Sequence, residues 1–195
     1  MTRSSISPSR IRLLALAIAL ATVALPRIAK AQGRVGADSS TRTRRYRHDL
    51  LYGAGLGLVF AGIDQQRNDP PEWGRGWRGY EKRLASDVGE FVVQESVTDL
   101  VAASMNRQLD YQRCRCTETS SRIGWALASS VTDPLSDGHR ALAVPRILGA
   151  YAGSFAQASW RPRGGSSITH VGLVNGTTSL LIGAGINLYY ELRHR

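Results

Sequence analysis

Glycine recurs inside the most apolar stretches of this 195-residue chain, and that pattern limits the fold more than any other feature. Gly53, Gly55, Gly57 and Gly62 fall among Leu50, Leu51, Leu56, Leu58, Val59, Phe60 and Ile63, and Gly149 and Gly153 lie four apart in G-x-x-x-G register. Gly172, Gly176, Gly183 and Gly185 accompany Val171, Leu173, Leu180, Leu181, Ile182 and Ile186. Each glycine weakens a helix by about 1 kcal/mol relative to alanine. Close approach between helices offsets that cost, because a missing side chain lets two backbones meet. Gly53-Ala54-Gly55-Leu56-Gly57 has the look of a phosphate loop, yet no strand precedes it and the Lys-Ser/Thr of such a loop is absent. The expected fold is therefore all-α, a compact bundle of about five Gly/Ala-rich helices following a signal peptide. Asn175-Gly176 also admits a two-residue hairpin turn, which leaves open an α fold with a C-terminal β-hairpin.

Periodicity places the elements. A short apolar helix is expected over 48–66, bounded by Asp49 and Asp64, and a loop over 67–79 that carries Asn68-Asp69-Pro70-Pro71, Trp73 and Trp77. The clearest helix is 80–106, where Leu84, Val88, Phe91 and Val92 form an apolar strip expected to be half-buried against other helices, with Asp87, Glu90, Gln94 and Thr98 on the opposite, solvated side. Further helices are expected at about 121–131, 141–160 and 166–193, the first ending before Thr132-Asp133-Pro134 and the Asp137-Gly138 turn.

Residues 1–31 read as a secretory signal peptide. Arg3, Arg10 and Arg12 precede the uncharged run Leu13 to Leu25, Pro26 breaks the helix, and Ala29-Lys30-Ala31 supplies a small-x-small cleavage site. The formal charge of +10 then falls to +5, because five of the 25 basic residues and none of the 15 acidic ones lie in that segment. Export and a halved charge argue against a nucleic-acid partner. Residues 32–47 read as a flexible Arg-rich segment in which Arg42, Arg44, Arg45 and Arg47 suit an anionic membrane surface, the partner the sequence favours alongside another envelope protein. Trp73 and Trp77, in a glycine-rich loop, either pack on the core or face a membrane interface.

Taken together, the landmarks resemble a family of uncharacterised exported bacterial envelope proteins of unknown function, over about residues 50–193. They are Pro71-Glu72-Trp73-Gly74, Gly79-Tyr80, Arg83-Leu84-Ala85-Ser86, Asp110-Tyr111, Arg146-Ile147-Leu148-Gly149-Ala150-Tyr151, Trp160-Arg161-Pro162, and Gly185-Ile186-Asn187 with Glu191. Where members of that family carry a histidine before an alanine, this chain has Trp125 before Ala126, so any role of that histidine is missing here. The resemblance implies a compartment and a helical architecture, and it implies no reaction.

Chemistry-bearing patterns are sparse. There is no G-x-S-x-G or H-E-x-x-H, and His48, His139, His170 and His194 stand singly. Glu95 and Asp99 are four apart, but no histidine at helical spacing completes a metal site, and two cysteines exclude a four-thiolate zinc site; neither a metal nor a cofactor is expected. Cys114 and Cys116 form a candidate disulfide or redox pair. Glu72, Arg122, Arg146, Asn187 and Glu191 are polar groups set among small apolar ones, and a buried arginine or glutamate is costly unless paired, so Arg146 or Arg122 is expected to meet Glu191. The overall expectation is an exported, membrane-associated structural or interaction protein of the cell envelope. The alternative is a periplasmic enzyme acting on envelope lipid or peptidoglycan through the Glu72, Arg122, Arg146 and Glu191 set.

Overall fold

The computed structural model describes residues 39–105, 107, 109–134 and 139–193. The signal-peptide reading of 1–31, the tail residues 32–38, the Asp137-Gly138 turn and His194 lie outside the described residues. The chain divides into two units, 1–48 and Asp49–Arg195. Of the first, the described part is helical from Ser39: Arg42, Arg44, Arg45 and Arg47 all stand on helical backbone, with Arg44 and Arg47 exposed and Arg45 half-buried. Ser39 to His48 contains neither glycine nor proline, so nothing in it interrupts the helix that the following apolar residues propagate.

Five helices appear among the described residues: α1 (Ser39–Arg67), α2 (Trp77–Ser104), α3 (Thr119–Val131), α4 (Val144–Trp160) and α5 (Ile168–Leu192). A 3-10 turn at Pro71–Trp73 joins α1 to α2, and a two-stranded antiparallel sheet of β1 (Thr132–Pro134) and β2 (Arg140–Leu142) joins α3 to α4. The fold is all-α apart from this small sheet. Strand pairing falls between α3 and α4, while Asn175-Gly176 lies inside α5, so no hairpin forms at the C-terminal end. Tertiary packing decides that point, because Gly176 is buried against Tyr151 and is used as a contact surface. Start signals match the sequence: Pro145 sits in the first turn of α4, and Ser167 caps α5 by accepting from the His170 amide at 3.1 Å.

Glycines four apart build the three successive helix contacts of the second unit. On α1, a Cβ on Gly53 would overlap the Phe91 ring, and one on Gly57 would lie 3.2 Å from Val88 Cγ2. On α4, a Cβ on Gly153 would lie 2.8 Å from the Glu90 carbonyl and 2.9 Å from Gln94 Cβ, and one on Gly149 would overlap Thr98. On α5, Gly172 and Gly176 receive Phe155 and Tyr151 of α4. Residue numbers run in opposite senses across each contact, so α1 and α4 are each antiparallel to α2, and α5 is antiparallel to α4. Helix α3 packs on α5.

Burial in this unit is inverted relative to a water-soluble bundle. The largest fully buried side chains are Arg83, Glu191 and Asp133, and the buried apolar set is almost entirely alanine. Large apolar side chains lie outside: Leu51 is 76% exposed, Leu181 66%, Val59 57% and Leu58 52%. On α2 the expected faces are exchanged in part. Asp87, Glu90, Gln94 and Thr98 face α4 instead of solvent and Leu100 is exposed, while Val88 and Phe91 are half-buried against α1 as expected.

If the α2–α4 seam depends on absent side chains, Gly153→Ala should lower stability despite the better helix propensity of alanine. The overlap with backbone is expected to cost about 1–3 kcal/mol against a propensity gain of about 1 kcal/mol. Gly55→Ala, which meets open space, should be neutral or mildly stabilising in the same thermal unfolding assay.

Candidate functional site

Polar chemistry concentrates at the two ends of the second unit and along the α2–α4 seam between them. Arg83, in the second turn of α2, has no exposed surface. Its Nε donates to the Asp69 carbonyl at 2.8 Å, Nη1 to Gln65 Oε1 at 2.6 Å and the Gly74 carbonyl at 2.7 Å, and Nη2 to the Pro70 carbonyl at 2.9 Å and Asn68 Oδ1 at 3.4 Å. One planar fork thus holds the whole α1–α2 connection, and its acceptors are carbonyl oxygens. The loop bends to present them: Asn68 and Gly74 adopt φ of 55° and 72°, a region glycine and asparagine enter most readily.

Arg161, just beyond α4, completes this end. It pairs with Asp64 at 2.6 Å, Asp87 at 3.3 Å and Asp69 at 3.4 Å, and lies over the Trp73 ring at 5.8 Å. Burial opposes its charge, but the hydrogen bond and charge of Asp64, then the charges of Asp87 and Asp69, outweigh burial and raise the guanidinium above its ordinary value. Trp77 is 71% exposed and stacks on Tyr80 at 5.4 Å. Glu72 lies exposed in the 3-10 turn and belongs to this end.

Along the seam, Ser154 Oγ donates to Glu90 Oε1 at 2.7 Å, Gln157 Nε2 to Asp87 Oδ1 at 3.1 Å, Trp160 Nε1 to Ser86 Oγ at 3.1 Å, and Asn175 Nδ2 to Gln157 Oε1 at 3.3 Å. Each α4 side chain here lies one turn from the next, so the glycine seam also aligns a row of hydrogen bonds that reaches α5.

At the opposite end the acceptor is Glu191, on the last turn of α5 and only 2% exposed. Tyr111 Oη donates to its Oε2 at 2.6 Å, the Cys114 amide to Oε2 at 3.2 Å, and Arg122 Nε to Oε1 at 3.2 Å; Arg122 Nη2 also reaches the Glu191 carbonyl. Burial first, then the hydrogen bond and charge of Glu191, push the Tyr111 phenol well above its ordinary value, which keeps it a donor. Arg122 is therefore the arginine that meets Glu191. Arg146 turns elsewhere: it pairs with Asp133 at 3.0 Å and donates to the Ser129 carbonyl at 2.5 Å and the Leu109 carbonyl at 2.9 Å. Asn187 is half-buried one turn before Glu191. Arg140 lies over the Trp125 ring at 4.1 Å and donates to Thr132 Oγ1 and Ser129 Oγ, while Trp125 Nε1 donates to the Gln112 carbonyl at 2.8 Å. Cys114 and Cys116 form a disulfide in the same loop.

The five candidate polar residues thus fall into three places. Glu72 is at one end; at the other, Glu191 pairs with Arg122 and lies one turn from Asn187, and Arg146 pairs separately with Asp133. In the sequence Arg83, Tyr111 and Arg161 stand out only as parts of the landmarks, and Asp133 only at the end of a helix. Arg83 alone carries a cue, since it stands 9 to 14 residues after turn residues whose carbonyls need donors. Among the described residues no group of three or more His, Cys, Asp or Glu side chains could hold a metal ion.

The chain matches no protein-family model, no curated protein and no solved structure with which it was compared.

Two outcomes follow from the paired arginines. Arg83→Leu should cost about 3 kcal/mol by stranding buried carbonyls, and Arg83→Lys should recover less than half, because an ammonium cannot reach acceptors spread around a planar fork. In a double-mutant cycle, Arg122→Ala and Glu191→Ala should each destabilise, and the double variant should be more stable than the sum by about 1–3 kcal/mol in thermal unfolding.

Proposed function

We propose that the protein is an exported cell-envelope protein whose helical unit sits in a lipid bilayer and serves a structural or interaction role. The observation that carries this reading is the inverted burial: glycine, alanine and hydrogen-bonded polar groups inside, and many of the large apolar side chains, among them Leu51, Leu58, Val59, Phe60, Leu173, Val174 and Leu181, outside. In water this arrangement forfeits most of the hydrophobic driving force. In lipid it is the expected one, because helices there associate through small residues and hydrogen bonds while apolar side chains face the acyl chains.

Helix α5 is long and apolar enough to cross a membrane, with only 17% of its most apolar window buried. At 1.5 Å per residue it measures about 37 Å, more than the roughly 30 Å of a hydrocarbon core. The aromatics support the same placement. Trp73, Trp77, Tyr80 and Trp160 gather at the end held by Arg83, and Tyr111, Trp125, Tyr189 and Tyr190 at the end held by Glu191, so they form two groups and not the single exposed band a surface-bound protein would show. Tyrosine and tryptophan favour both membrane–water interfaces. The resemblance to uncharacterised exported envelope proteins agrees with this location.

The paired state of Arg122 with Glu191 and of Arg146 with Asp133 favours this reading over the enzyme alternative, since the two guanidinium groups are engaged by these carboxylates and by backbone carbonyls. The protein expressed in a Gram-negative host should pellet with membranes, resist alkaline carbonate and dissolve only in detergent. Release into the soluble periplasmic fraction, or extraction by carbonate alone, would refute bilayer insertion.

A further inference from the structure

The Cys114–Cys116 pair lies in the irregular loop between α2 and α3, where Arg113 and Arg115 are exposed and both cysteines are partly exposed. The structural role of the loop, docking on Glu191, uses the Cys114 amide and leaves the sulfurs free of that task. Two hydrogen bonds make the sulfurs unequal. The Cys116 amide donates to Cys114 Sγ at 3.2 Å, and the Cys114 amide donates to Glu191 Oε2 at 3.2 Å. The first aims an N–H at one sulfur only, and an N–H so aimed stabilises that sulfur as an anion. The second anchors the backbone of Cys114 to the end of α5, so Cys114 stays in place when the bond between the sulfurs opens. The flanking guanidinium groups add positive potential around both. In thiol–disulfide exchange the sulfur that leaves best is the one whose thiolate is best stabilised, and the incoming thiolate takes the other.

We propose that Cys114–Cys116 is a dithiol-oxidising site in which a thiolate of a polypeptide dithiol attacks Cys116 Sγ and Cys114 leaves as the thiolate. The bond between the two protein sulfurs breaks as the substrate–Cys116 bond forms. The second thiolate of the substrate then attacks the substrate's own sulfur in the mixed disulfide, forming the substrate disulfide and releasing Cys116 as a thiolate. Two electrons pass from substrate to protein, and the protons lost by the substrate thiols balance those taken up by Cys114 and Cys116. Each chain delivers one disulfide and ends as a dithiol. The exposed Arg113 and Arg115 favour dithiols flanked by acidic residues. This activity is independent of bilayer insertion, since it needs only the loop and its contact with Glu191.

The test uses the full chain prepared under oxidising conditions, mixed with a reduced Cys-Gly-Gly-Cys peptide carrying flanking glutamates. The reaction is quenched with iodoacetamide and mapped by mass spectrometry. About one peptide disulfide should form per chain, and trapped intermediates should carry peptide on Cys116 and the alkyl group on Cys114 by at least about ten to one. Arg113→Ala with Arg115→Ala should slow the reaction at least about threefold for this peptide and less for one flanked by lysines. Two free thiols in the oxidised preparation, no peptide oxidation at millimolar peptide, or intermediates carried equally or mainly on Cys114 would each overturn the proposal.

Discussion

The approach of α4 to α2 is the contact on which the rest of the second unit depends. Gly149 and Gly153 remove the side chains that would keep the two backbones apart, and only at that separation does Ser154 reach Glu90, Gln157 reach Asp87 and Trp160 reach Ser86. The seam then propagates outward in both directions. Phe91 and Val88 on the other side of α2 fill the gaps left by Gly53 and Gly57 on α1, and Phe155 and Tyr151 on the other side of α4 fill those left by Gly172 and Gly176 on α5. Large residues serve as knobs on α2 and α4, and glycines supply the sockets on their outer neighbours.

This division of labour explains which parts were legible in the sequence. Glycine rows on α1, α4 and α5 carry their meaning locally, because a glycine in an apolar helix has one common use, while the helices themselves were legible from periodicity and turn signals, except that α1 starts nine residues before the expected 48. The orientation of α2 did not. Its Leu84, Val88, Phe91 and Val92 strip reads as the buried face only if the surroundings are water, whereas the polar strip of Asp87, Glu90, Gln94 and Thr98 is the one placed against α4. Amphipathicity alone marks two faces without saying which is inside; the partner helix decides, and α4 offers glycines, Ser154 and Gln157 instead of an apolar groove. Distance in sequence accounts for Arg161. It reaches the carboxylates of Asp64, Asp69 and Asp87, up to 97 residues away, and no spacing rule announces such contacts.

The ends of the unit solve a different problem from the seam. Helix termini and irregular connections leave backbone groups without partners, and buried ones must be satisfied. Arg83 satisfies carbonyls of residues 69, 70 and 74, Arg146 those of Ser129 and Leu109, and Arg122 that of Glu191. A guanidinium suits this work because it presents five donors in one plane and stays charged. The abundance of arginine and the near absence of lysine, found only at Lys30 and Lys82, therefore has a structural cause in this unit. Basicity that reads as a surface property in the sequence is partly consumed inside.

The choice between Arg122 and Arg146 as the partner of Glu191 shows what decides such pairings. Both arginines lie at the same end of the unit, one on α3 and one in the first turn of α4, and charge alone does not separate them. The β1–β2 pairing does. By aligning Asp133 with Ala141 it fixes a buried carboxylate beside the start of α4, where Arg146 meets it at 3.0 Å. Helix α3, packed on α5, leaves Arg122 facing the C-terminal turn and Glu191. A three-residue strand pair thus acts as a selector: it supplies one acid to one arginine and frees the other acid for the loop that carries Tyr111 and Cys114. A one-residue shift in its register would move Asp133 to the other face of the strand, since successive strand residues point to opposite sides, and would leave Arg146 to compete with Arg122 for Glu191.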